Sequence, residues 1–86
     1  MKHYITDKTG TEHSIEEYGW ENGMATICIN NYRICTLKMY YRPERTWDDH
    51  MGNTPCGYYV VVTIKGFDNK TNRYFKERHR VYLSFR

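Results

Sequence analysis

Residues Tyr58 to Lys65 read Tyr-Tyr-Val-Val-Val-Thr-Ile-Lys, with Val60, Val62 and Ile64 on one side of a two-residue period. β-Branched and aromatic side chains lose freedom in a helix and pack well on a pleated surface, so this run is a strand. After Phe67-Asp68-Asn69-Lys70-Thr71-Asn72, a turn-rich connection, the alternation returns from Arg73 to Phe85. One face of that segment reads Phe75, Glu77, His79, Val81, Leu83, Phe85 and the other Tyr74, Lys76, Arg78, Arg80, Tyr82, Ser84. Two long antiparallel strands therefore anchor the fold, and the rest of the chain must pair with them or cover them.

Upstream, Tyr4-Ile5-Thr6 reads as a short strand stopped by Asp7-Lys8-Thr9-Gly10. Ser14-Ile15-Glu16-Glu17 fits a capping box, Ser at the cap and Glu three later, and predicts one or two helical turns ending near Gly19 or at Glu21-Asn22-Gly23. Met24 to Asn30 and Arg33 to Tyr41 form a hairpin about Asn31-Tyr32. The symmetry of its Cys-Ile…Ile-Cys pattern sets Ile29 opposite Ile34 and Cys28 opposite Cys35. Between residues 42 and 57 the strand rhythm breaks: Pro43 and Pro55 flank a segment in which Thr46 and Asp49 suit the ends of a single helical turn. The expected architecture is α+β and mostly antiparallel β, a single domain over 1–86. It would be one four- to five-stranded sheet or barrel with one short helix.

At 86 residues the core will be thin, and a domain of this size commonly needs a staple. The longest clean apolar run, Val60-Val61-Val62, is far short of a membrane span, and the N-terminal residues carry no apolar signal core. We therefore expect a cytoplasmic protein whose thiols stay reduced, consistent with an odd count of three cysteines.

Those cysteines suggest the staple. Two thiolates side by side on a hairpin, Cys28 and Cys35, would supply half of a tetrahedral zinc site, and His50 and Cys56 in the 42–57 segment would complete it. A closed Cys3His set leaves no position for water, so such a zinc would be structural. The bland alternative makes Cys28 and Cys35 small core residues. Cys56 beside His50, Asp48 and Asp49 has the residue types of a nucleophilic site, but no spacing that enforces its geometry. Glu16-Glu17 and Asp48-Asp49 are explained by helix starts. With no glycine-rich phosphate loop either, an enzyme and a small-molecule substrate are not expected.

Charge points to a binding function. Residues 1–64 hold six Lys/Arg against eight Asp/Glu, a net of −2, whereas residues 65–86 hold seven against two, a net of +5. Lys76, Arg78 and Arg80 share one face of the last strand at ~6.5 Å steps, with Tyr74 and Tyr82 beside them to stack bases. This is a candidate track for nucleic acid. Its competing explanation is an edge strand guarded by cations against aggregation.

In its short frame from Met1 to Phe85-Arg86, its Tyr-rich surface and its candidate staple of Cys28, Cys35, His50 and Cys56, the chain resembles the small phage-encoded anti-CRISPR proteins. The resemblance is one of size and style and covers no motif. It implies a protein partner, a CRISPR effector nuclease of the host and by preference a type II one, whose DNA engagement is blocked by docking. Many such inhibitors mimic DNA with acidic surfaces, and this chain is net +3, so steric block fits better than mimicry. Nucleic-acid binding through Lys76, Arg78 and Arg80 is the alternative.

Overall fold

The computed structural model describes residues 2–43 and 56–84. It contains seven strands: β1 (Lys2–Thr6), β2 (Glu12–Glu21), β3 (Met24–Ile29), β4 (Arg33–Lys38), β5 (Tyr40–Arg42), β6 (Gly57–Asp68) and β7 (Arg73–Tyr82). They form two antiparallel sheets, a four-stranded one in the order β1-β2-β3-β4 and a three-stranded one in the order β5-β6-β7. The protein is therefore all-β, which corrects the α+β expectation. The described residues contain no helix, and the sheets neither merge into one nor close as a barrel. The turn expected at Thr46 to Asp49 lies outside the described residues.

The expected helix at Ser14–Glu17 is part of β2, and the reason is periodic. Ile15 is fully buried, Ser14 and Glu16 pair outward with Tyr4 and Lys2 of β1, and Glu17 returns to the inner side. The segment is closed at its far end by Asn22-Gly23, both at positive φ (53° and 77°), the backbone of a tight hairpin turn. A capping box satisfies helix-end amides, but here β1 and β3 supply partners on both sides, and tertiary pairing overrides the local signal. Gly19 marks a bulge: the β2–β3 register shifts between Glu17 and Gly19, and Tyr18 is the extra residue.

The hairpin of β3 and β4 also differs from expectation by one residue. Its turn is built on Asn30 and Asn31, at φ 55° and 67°, with the Tyr32 amide donating to the Ile29 carbonyl at 3.3 Å. Asparagine tolerates the left-handed region and tyrosine does not, so the turn centres on the Asn-Asn pair rather than on Asn31-Tyr32. The resulting register sets Ile29 against Arg33, Cys28 against Ile34 and Ile27 against Cys35. β4 stops at Lys38. The Met39 amide bonds the Gly23 carbonyl at 2.9 Å, its side chain packs on the core, and the chain crosses to the second sheet at Tyr40.

One core joins the sheets. Ile15, Ala25, Ile27 and Ile29 from the first meet Val60, Val62, Ile64 and Val81 from the second. Each fully buried Val or Ile contributes roughly 1.5–3 kcal/mol. Polar pins tie the margins. The Lys8 amide donates to Glu77 Oε2 at 2.7 Å, its ammonium lies 3.7 Å from Asp68, and Glu17 accepts from the amide and hydroxyl of Ser84 at 3.0 and 3.1 Å. Among the described residues no helix is long and apolar enough to cross a membrane.

Candidate nucleic-acid interface

Because Val60, Val62 and Ile64 are buried against the first sheet, the alternate residues of β6 must face away from it, and register carries that parity to its neighbours. The outward rungs pair Tyr59 with Tyr82, Val61 with Arg80, Thr63 with Arg78, Lys65 with Lys76 and Phe67 with Tyr74. β5 adds Tyr40 opposite Tyr59 and Arg42 opposite Gly57. The five expected residues, Tyr74, Lys76, Arg78, Arg80 and Tyr82, thus do share one face, as the alternation of β7 required.

Around them lies a surface with a definite order. At one end Tyr40, Tyr59 and Tyr82 form an aromatic row across all three strands, with centroid separations of 5.6 and 5.1 Å. The Arg80 guanidinium sits 5.2 Å from the Tyr59 ring centroid, and the Lys38 ammonium approaches Tyr40 at 5.4 Å. Such cation–π contacts hold the rings and the charges on the same surface. In the middle, Lys65, Lys76, Arg78 and Arg80 are four cations on three consecutive rungs. At the other end Phe67 and Tyr74 meet edge to face at 4.9 Å, and Tyr74 is 86% exposed. Among the described residues of these strands no Asp or Glu has outward parity: Asp68 and Glu77 face the first sheet, Asp68 beside the Lys8 ammonium and Glu77 bonded to the Lys8 amide and to His79 of its own strand.

β7 is an edge strand, so its cations also guard an edge. β5 covers β6 only from Gly57 to Tyr59, so Lys65 can guard an edge as well. Edge protection does not account for the aromatic rungs, Tyr59 with Tyr82 and Phe67 with Tyr74, that bracket the cations on the same surface. The alternation of the last strand alone does not reach Tyr40 and Tyr59, which belong to the same face. The signal that places Tyr59 is in the sequence, since a strand that buries Val60, Val62 and Ile64 must turn Tyr59, Lys65 and Phe67 to its other side.

His79 lies inward and pairs with Glu77 at 2.7 Å, His13 with Asp7 at 2.8 Å, and His3 with Glu17. Of the expected zinc set, the described residues include Cys28, Cys35 and Cys56, and the hairpin places Cys28 and Cys35 on opposite faces. In the corrected register Cys35 faces inward beside Ile27, while Cys28, itself buried, sits on the other face of the sheet opposite Ile34. A one-residue slip sends neighbouring side chains to opposite faces, so the two thiolates do not lie side by side as the expected register sets them. Cys56 is a half-buried free thiol at the start of β6, and His50 lies outside the described residues. Among the described residues no group of three or more His, Cys, Asp or Glu side chains is arranged to hold a metal. Comparison with protein-family models, curated proteins and solved structures finds no match.

Proposed function

We propose that the protein is a non-enzymatic nucleic-acid-binding module that works through the outer face of β5, β6 and β7. The observation that carries this reading is the arrangement of that face, four cations between two groups of aromatic rings with no outward carboxylate among the described residues. Phosphates are neutralised by Lys and Arg, and aromatic rings stack bases without regard to sequence. Its setting in this reading is the cytoplasm, where free thiols such as Cys28, Cys35 and Cys56 stay reduced.

The test is fluorescence anisotropy of a labelled oligothymidylate titrated with protein across a salt series. Engagement of Lys65, Lys76, Arg78 and Arg80 predicts that log K falls linearly with log salt, with a slope of about −3. The double variant Arg78→Glu/Arg80→Glu should remain folded, since both side chains are exposed, and should lose binding. No binding by the wild type at ~50 mM salt would dismiss the reading. The steric inhibitor implied by the anti-CRISPR resemblance would use the same exposed tyrosines as interface anchors. Its association with a nuclease would lack the steep, log-linear salt dependence, so the same series separates the two.

A further inference from the structure

Resting on that reading, we infer that the ligand is an unpaired strand laid lengthwise along β6 and β7, seated on aromatic rings at both ends. Its shortest full-affinity form is roughly four to six nucleotides. The two aromatic stations are the Tyr59–Tyr82 rung and the Phe67–Tyr74 rung. Counting along β6 from Tyr59 to Phe67, they lie ~26 Å apart at ~3.3 Å per residue. The three rungs between them carry Lys65, Lys76, Arg78 and Arg80, so this charge track lies along the line joining the stations. A strand crossing the sheet at right angles along the tyrosine row would meet Arg80 and Lys38 there but would miss the Lys65–Lys76 rung and the Phe67–Tyr74 station.

The rings also select against duplex. In an intact duplex each base is covered above and below by its neighbours, and only base edges face the grooves. Tyr74 is 86% exposed and Phe67 40% exposed, and they touch each other edge to face, leaving ring surface open to solvent. An unstacked base covers that surface, and a paired one cannot.

The experiment measures anisotropy at fixed low salt for labelled oligothymidylates of increasing length and for a short duplex, with the wild type, Tyr74→Ala and Tyr74→Phe. The expected result is a steep gain in affinity up to about six nucleotides and little beyond, with the duplex at least tenfold weaker. Tyr74→Ala should weaken the longer oligomers roughly 5- to 100-fold while leaving the salt slope unchanged, and Tyr74→Phe should restore them. Because Tyr74 lies outside the core, unchanged thermal unfolding of Tyr74→Ala shows that the loss is local. Equal affinity for duplex, or an affinity that rises evenly with length and ignores Tyr74→Ala, overturns the inference while nucleic-acid binding stands. Binding to none of the probes overturns both.

Discussion

Gly66 sits in β6 directly opposite Phe75 of β7, on the side that faces the first sheet. A Cβ there would lie 2.7 Å from Phe75 Cζ and 2.9 Å from Cε1, closer than real contacts allow. Glycine in a strand interior costs backbone entropy, and its use here is to let the Phe75 ring lie across the strand against the core margin. Gly66→Ala should therefore destabilise by about 1–3 kcal/mol as the ring is displaced. Urea unfolding measures it directly, and the double change Gly66→Ala/Phe75→Leu should recover part of the loss because it removes the collision. This is a residue whose role is set by its cross-strand neighbour, and the linear sequence does not announce that neighbour.

At the level of elements, β6 and β7 are legible in the sequence while β2 and the β3–β4 turn are not. The β6 and β7 runs follow from period-two alternation alone, because each needs one face buried and carries the side chains to fill it. In β2, Ser14 and Glu17 make a plausible helix start, while the pairing that overrides it involves β1 and β3, which the local pattern does not contain. The β3–β4 turn was misplaced because the symmetric Cys-Ile…Ile-Cys pattern favoured the wrong register, whereas the φ preference of Asn30 and Asn31 decides it. These two asparagines should respond differently to the same substitution. Asn31 is exposed, so Asn31→Gly keeps the left-handed backbone and should lie within about 0.5 kcal/mol of neutral. Asn30 reaches across to β2, its Oδ1 accepting from the Ser14 amide at 3.1 Å and its Nδ2 meeting His13 Nδ1 at 3.0 Å. Asn30→Gly removes both bonds and should cost about 1–3 kcal/mol in the same urea experiment. Equal effects of the two changes would mean that the turn backbone alone fixes the register.

For the whole molecule, the segregation of charge was visible in the sequence, because seven of the thirteen Lys/Arg fall after residue 64. What the linear sequence does not show is that β5 lies beside β6 and adds Tyr40 to the same surface, since that pairing joins segments separated by residues 43–56. The stacking of the two sheets has its own consequence for pH. Burial works to raise the Glu17 pKa, but hydrogen bonds from His3 and Ser84 and the nearby His3 charge outweigh it and leave it lowered. Asp7 is held well below the usual carboxylate range by the Thr9 side chain first, then His13 and the Thr9 and Thr11 amides, against its desolvation. Asp68 is lowered by the Lys70 amide, against its desolvation, with help from Thr71 and Lys8. All three carboxyls are more acidic folded than unfolded, so the unfolded chain binds more protons as pH falls. Their contribution is complete above the unfolded value of about 4 and is lost as pH drops from there into the lowered folded range. Thermal unfolding from pH 7 to pH 2 should therefore show Tm falling steeply below about pH 4. Glu17→Gln, which removes the pin between β2 and Ser84, should start lower at pH 7 and fall less on acidification. A variant that loses Tm in parallel with the wild type would show that Glu17 takes no part in the acid transition and would leave it to the two turn aspartates, Asp7 and Asp68.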